Sequence, residues 1–298
     1  MRWSTDASGR GGWRRPRPAK DRVRAGASCV GARHRGGVLV LLVVLSACSG
    51  PSDGGGGTAG APVDGSTPPT AEPALTVLAF GDSWPYGAHC NGCVPFPELY
   101  VEGLEDELGG EVEFVDLVTN GGTSASLLES LRGDESYRDA VTQSDVIVIS
   151  TGANDMEPAG QSWKAGTCGG PDGLDCFRAL GEEWQANFDQ MLEEIDELRA
   201  GEPTAVRLVT NSNEFLSDPG LIDYFGADFG LSGGATITAL HHDALCAAAA
   251  EHGDVCVDLR PVLNGVSLDQ PRDVNAQESM QAVADALVAS GLAELDAR

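Results

Sequence analysis

The sequence predicts an α/β domain built on a parallel sheet, and three observations carry that prediction. Five short apolar runs, at 75–80, 112–118, 146–150, 205–210 and 255–259, alternate with segments of helical spacing. Strands buried on both faces read as near-continuous apolar runs, and strands alternating with helices are joined by right-handed crossovers. The helical segments carry stripes suited to packing on a sheet: in 177–199, Phe177, Leu180, Trp184, Phe188, Met191, Ile195 and Leu198 recur at steps of three and four. Finally, the first three runs each end in small or amide-bearing residues, and a parallel sheet collects such ends on one edge.

The first run ends in Phe80-Gly81-Asp82-Ser83-Trp84-Pro85-Tyr86-Gly87. A strand ending in a glycine-flanked turn presents a hydroxyl where open α/β folds keep their ligands, so Ser83 is a candidate nucleophile. Small residues also serve strand-to-helix turns merely by allowing tight geometry and capping. The second run leads to Asn120-Gly121-Gly122-Thr123-Ser124 and the third to Thr151-Gly152-Ala153-Asn154-Asp155. The backbone N–H groups of Ser83 and Gly121 and the side-chain amide of Asn154 could then converge on a developing oxyanion, the equipment of acyl transfer.

The remaining elements follow in order. Helical spacing marks 96–108 as well as 177–199. The polar, Gly-rich stretch 211–234 is long for a connection and is expected to form a lid or substrate-binding loop. A helix is expected over 235–250, its stripe formed by Ile237, Leu240 or His241, Ala244, Leu245 and Ala248, with His252 at its C-terminal end, where partial positive charge complements the macrodipole. A last helix falls at 280–287.

Gly81-Asp82-Ser83, Gly121 in Asn-Gly-Gly-Thr-Ser, and Gly152-Ala153-Asn154-Asp155 resemble three of the four blocks of the SGNH hydrolases, the GDSL esterase and lipase family, over about 75–298. The resemblance implies a flavodoxin-like three-layer α/β/α fold with a central parallel sheet of about five strands. It implies hydrolysis of carboxylic esters without a cofactor, with Ser83 as nucleophile and Ser83, Gly121 and Asn154 as oxyanion-hole donors. Gly122 is the alternative to Gly121, because the register is ambiguous by one residue. The family's fourth block, Asp-x-x-His, is not matched: the register of the final helix puts Val274 in the histidine's place and Pro271 in the aspartate's.

A serine hydroxyl is a weak nucleophile until a group with a pKa near the working pH takes its proton, as imidazole does. The replacements to weigh are Asp269, Asp273 and His89, and an ordinary carboxylate at about pKa 3.9 is a far weaker base. His241, His242 and His252 read as helix-face or capping residues. Two functions therefore stand side by side: a serine ester hydrolase, and a catalytically impaired relative that binds acyl or carbohydrate esters. No metal-ligand spacing such as His-Glu-x-x-His occurs, and no Gly-rich loop with a lysine follows the first strand, so neither a metal nor a phosphate-binding role is expected.

The front of the chain bears on location. Residues 1–37 are rich in arginine and glycine, 38–45 are eight apolar residues, and Leu45-Ser46-Ala47-Cys48 closes the run. Eight apolar residues are too few to span a bilayer, whereas a basic region, a short apolar core and small residues describe an export signal, here 1–47. Leu-Ser-Ala-Cys resembles a bacterial lipobox, which implies cleavage before Cys48, a lipid on its sulfur, and a place on the outer face of the cytoplasmic membrane or release outside. Residues 49–73 are mostly Gly, Ser, Thr, Pro and Ala and read, after Cys48, as a flexible linker, leaving 74–298 as one domain.

Residues 1–47 hold 10 basic and 2 acidic side chains of the chain's 19 and 45, so the remainder carries 9 and 43, a net of −34. Such a surface repels nucleic acid and anionic lipid, so contact with a membrane is expected through the lipid alone. A monomer is expected. Cys90, Cys93, Cys168, Cys176, Cys246 and Cys256 form an even set, and sequential local pairing into three disulfides suits an exported chain.

Overall fold

The computed structural model describes residues 75–88, 90 and 92–297, together with two short strands, Ser4–Thr5 and Gly11–Gly12, that pair antiparallel with each other. The apolar run 38–45, Cys48, the linker and His89 lie outside the described residues.

Five strands form the sheet: β1 (Leu75–Gly81), β2 (Val112–Asp116), β3 (Val146–Ser150), β4 (Ala205–Val209) and β5 (Val255–Val257). All pair parallel in the order β2-β1-β3-β4-β5, the flavodoxin-like arrangement. Successive connections leave β1 in opposite directions, so a crevice opens at the C-terminal ends of β1 and β3, where such folds place ligands. Every residue of β3 and β4 is buried, which explains the apolar run 146–149 and, Arg207 apart, the apolar character of β4.

Helices cover both faces and complete three layers. On one side, α1 (Phe96–Leu108), the short α8 (Arg260–Asn264) and α9 (Gln277–Ala289) bring Phe96, Tyr100, Leu263, Met280 and Leu287 into a cluster with Val77, Ala79 and Val148. On the other, α2 (Ser124–Gly133), α3 (Glu135–Gln143), α5 (Asp175–Arg199) and α7 (Gly233–His252) bring Leu131, Val141, Phe188 and Leu245 into a cluster with Leu78, Phe80, Ile147 and Ile149. Each fully buried side chain of this size contributes about 1.5–3 kcal/mol by leaving water. The stripe expected on 177–199 is buried from Phe177 to Ile195, with Leu198 half-buried at its end.

Local chemistry sets the element ends. Pro97 sits in the first turn of α1, and Gly109, left-handed at φ 68°, closes it by donating to Glu105 O. Thr123 and Ser126 form a capping box at the start of α2. Arg207, wholly buried within β4, pairs with Glu294 at 2.9 Å and bonds Ser290 Oγ at 2.8 Å, tying the C-terminal turn to the sheet.

The stretch 211–234 is not an open loop. It folds into a 3-10 turn (Glu214–Leu216), α6 (Pro219–Phe225) and a second 3-10 turn (Ala227–Leu231). Asp218 caps α6 by accepting from Leu221 N at 2.8 Å, and Pro219 pre-sets its first turn. Phe215, Phe225 and Phe229 pack against one another, and Phe225 and Phe229 also meet Trp163 of α4 (Met156–Lys164), ring centroids 4.7 to 5.5 Å apart. Elements this short carry too few turns for periodicity to reveal. Disulfides join Cys90 to Cys93, Cys168 to Cys176 and Cys246 to Cys256, the sequential pairing expected.

Candidate active site

β1 ends at Gly81 because nothing larger fits: a Cβ there would lie 2.0 Å from Ser150 O, while Asp82 N donates to that same carbonyl at 3.0 Å. Asp82 is buried, and its carboxylate accepts the Trp84 N–H at 3.1 Å and the Ala153 N–H at 3.3 Å. Burial pushes its carboxyl up to about 7, with Asp155 adding to the rise and the backbone N–H groups opposing it. Ser83 stands half-buried between Asp82 and the buried Trp84.

The second tip leans on the first. Thr119 N donates to Gly81 O at 2.9 Å, and Gly122 N donates to Thr119 O at 3.0 Å. Gly121 is exposed with φ 87°, a conformation that favours glycine. Among the described residues neither the Gly121 N–H nor the Ser83 N–H has a partner, whereas the Gly122 N–H is spent on the turn.

At the third tip, Gly152 has φ 121°, and a Cβ would stand 2.4 Å from His241 Nε2. Asn154 Nδ2 donates to Gly122 O at 2.9 Å, leaving its second N–H for another acceptor. Asp155 accepts from Ser124 N at 3.0 Å and from Ser124 Oγ, and Asn187 Nδ2 donates to the same hydroxyl at 2.8 Å. Burial raises the Asp155 carboxyl above its ordinary value, with the bonds from Ser124 opposing the rise. Three strand ends far apart in sequence are thus joined at one edge of the sheet.

A family model of GDSL-like lipases and acylhydrolases matches residues 79–277, a span that takes in all three tips. The chain belongs to that family. Among solved structures, this GDSL-like chain is similar to the lipase Lip_vut3 from a goat rumen metagenome, with 22% identity, 73% of this chain and 98% of that chain covered, and a TM-score of 0.55, which shows a shared fold. It is also similar to a lipase/acylhydrolase from Enterococcus faecalis (18% identity, 72% and 94% covered, TM-score 0.46). A third is a variant of Axe2, an acetyl-xylooligosaccharide esterase from Geobacillus Stearmophilus (14%, 72% and 93%, TM-score 0.49). No curated protein matches.

The described histidines of this GDSL-like domain are committed elsewhere. His241 is buried on α7, its ring edge-on to Trp184; its Nδ1 accepts the Asn211 N–H at 3.3 Å, so its Nε2–H donates to Thr151 O at 2.9 Å. Burial lowers its pKa to about 4 and keeps it neutral. It ties the ends of β3 and β4 together. His242 meets Asp243 at 2.9 Å, and His252, at the end of α7, meets Asp196 at 2.9 Å. Among the described residues no histidine is hydrogen-bonded to Ser83.

The segment that replaces the fourth block does reach the site: Trp84 Nε1 donates to Val274 O at 3.2 Å. The Val274 side chain is 2% exposed and belongs to the apolar cluster of Trp84 and Met280. Asp273 is exposed, its Oδ1 accepting from Asn275 N at 3.0 Å, and Asp269 is exposed as well; neither is bonded to Ser83. Asp273, Asn275 and Gln277 line an open polar cleft of about 470 Å³ against the Cys90–Cys93 bridge.

Behind the third tip lies a second, partly enclosed cavity of about 20 Å³, bounded by Ala153, Met156, Trp184, Ser212, Glu214 and Phe215, among others. Burial pushes the Glu214 carboxyl up to about 8, with Asp82 and Asp218 adding to the rise. Glu214 and Ser212 escaped the sequence reading because they follow β4 without any spacing that marks chemistry. Trp184 packs in the core, yet among the described residues its Nε1 has no hydrogen-bond partner.

Proposed function

We propose that the chain is an exported, lipid-anchored serine ester hydrolase that cleaves carboxylic esters through Ser83. One observation carries the reading: Asp82 and Asn154 join the three tips, leaving the N–H groups of Ser83 and Gly121 and one amide N–H of Asn154 without partners among the described residues at one sheet edge. The Ser83 hydroxyl adds to the ester carbonyl, and its proton departs with the leaving alcohol. Those three donors take the charge that develops on the carbonyl oxygen, and water then cleaves the acyl-serine ester. Removing one such donor costs about 10²–10³ in kcat. Gly121 is favoured over Gly122 because the latter's N–H is already bonded.

Export and anchoring rest on 1–47 and Cys48 alone. The chain would sit on the outer face of the membrane through its lipid, as a monomer, with a small-molecule, glycan or lipid ester as substrate and no nucleic-acid partner. Labelled fatty acid incorporated by the bacterial host should appear on the chain and vanish in Cys48→Ser.

The test of the chemistry is hydrolysis of a short-chain aryl ester by the chain and by Ser83→Ala. Equal rates would remove serine catalysis. The commitment of every described histidine elsewhere favours a second reading, a protein that binds esters with slow turnover. Saturable binding of a non-hydrolysable ester analogue, with Ser83-dependent turnover within about 10³–10⁴ of the uncatalysed rate, would favour it.

A further inference from the structure

We infer that the cavity behind Ala153 is the acyl end of the site and that it admits an acyl group no longer than acetyl; the inference rests on the proposed ester hydrolysis. Its location follows from the chain. Ala153 and Met156 flank Asn154, whose free amide N–H marks the carbonyl oxygen's side, and the opposite wall is Ser212, Glu214 and Phe215 from beyond β4. A substrate carbonyl held at Asn154 would have its acyl carbon facing this wall.

Size and polarity then limit the acyl group. About 20 Å³ is the room of a single water molecule. Met156, Phe215, Leu221 and Ile237 close the sides. Two lining groups are polar, buried and unpartnered among the described residues: Trp184 Nε1, on a residue 0% exposed, and Ser212 Oγ, on a residue 3% exposed. Glu214, kept neutral by burial, adds a third hydrogen-bonding group. An acetyl methyl stops at the mouth, beside Ala153. Each further methylene enters a space sized for one small polar molecule and leaves the indole N–H and the hydroxyl facing hydrocarbon. One methylene in a hydrophobic pocket already changes rates by about 10–200-fold, and here crowding and unpaired donors act in the same direction.

The experiment is a kcat/KM series on aryl acetate, propionate and butyrate with the chain, Ser83→Ala, Leu221→Ala and Met156→Ala. We expect acetate to exceed propionate by about tenfold or more, and butyrate to fall further. Leu221 is half-buried, so its truncation opens the wall at little structural cost, and we expect either wall variant to raise the butyrate-to-acetate ratio by about tenfold. Ser83-dependent hydrolysis with butyrate equal to or above acetate overturns the inference and leaves the hydrolase reading standing. So does a ratio that neither wall variant changes; if neither folds, the unmodified chain's series decides. Rates that do not depend on Ser83, or no turnover of any ester, overturn the hydrolase reading and the inference together.

Discussion

The buried carboxylate of Asp82 accepts the N–H of Ala153, 71 residues further along the chain, at 3.3 Å. The residue before Ser83 is thereby held to the residue before Asn154, a side-chain tie that adds to the backbone bond from Asp82 N to Ser150 O in setting their relative placement. Asp82→Ala strands two buried N–H groups and should cost about 2–3 kcal/mol. It should also lower Ser83-dependent kcat by about 10², since misplacement of about 1 Å costs that much. Denaturant titration and ester kinetics check both parts, and a folded variant with unaltered kcat would refute the positioning role.

Stability should decline on the alkaline side. Asp82, Glu214 and Asp254 have carboxyls pushed by burial up to about 7, 8 and 7, above their unfolded values near 4. Their stabilising contribution is complete below the unfolded values and is lost as pH rises through the folded ones. His241 acts in the opposite direction: with its pKa lowered from 6.5 to about 4, its contribution is lost as pH falls through that window. The two effects oppose each other from about pH 4 to 6.5, and only the carboxyls act above. The thermal midpoint should therefore drop between about pH 6.5 and 8.5, and Glu214→Gln should shrink the drop. A flat midpoint over that interval would contradict the assignment.

His241 should prove structural. Its truncation to alanine removes the two hydrogen bonds that bridge Thr151 and Asn211 and leaves a hole beside Trp184. The expected loss is about 3 kcal/mol, read by equilibrium unfolding. Were His241 the base instead, the pH–rate profile of the unmodified chain would show a limb near its lowered pKa of about 4 and His241→Ala would abolish it.

Gly152→Ala tests the close approach beneath the third tip. The new methyl would meet His241 Nε2 at 2.4 Å on a backbone with φ 121°, so a loss of about 2–4 kcal/mol is expected from strain and contact together. Gly121→Ala, with φ 87° but nothing within 4 Å of the added carbon, should cost only about 1 kcal/mol. Paired unfolding curves separate the two, and equal losses would remove the steric part of the account.

Restoring a histidine at Val274 should not restore the family's base. The Val274 side chain lies in the apolar cluster with Trp84, so Val274→His buries an imidazole there and should destabilise the chain by about 2 kcal/mol without raising the rate. A rise in Ser83-dependent turnover in Val274→His would show that the side chain can turn toward the serine.

Much of this was legible in the residues. The five runs gave the strands within a few residues because positions facing the two helix layers are filled mainly by apolar residues, throughout β3 and less fully in the half-exposed β2, and the stripe from Phe177 to Ile195 gave the long helix because 3.6-residue periodicity persists over many turns. Gly81, Asp82, Ser83, Gly121 and Asn154 were readable because tight turns and close backbone contacts demand those small or amide residues. The helices of 211–234 were not, since aromatic stacking among Phe215, Phe225, Phe229 and Trp163 holds segments too short to show a period. Nor was the position of Val274, where register in sequence said nothing about which way a side chain turns.

Local composition and periodicity thus determined the strands, the main helices, the serine turn and its family, because those depend on neighbours along the chain. Only the tertiary structure decided that Gly122 rather than Gly121 spends its N–H on the turn, that His241 bridges two strand ends, and that Glu214, Ser212 and Trp184 share one small cavity. Each of those facts depends on which atoms from distant segments meet and exclude water from one another, a relation that linear order does not encode.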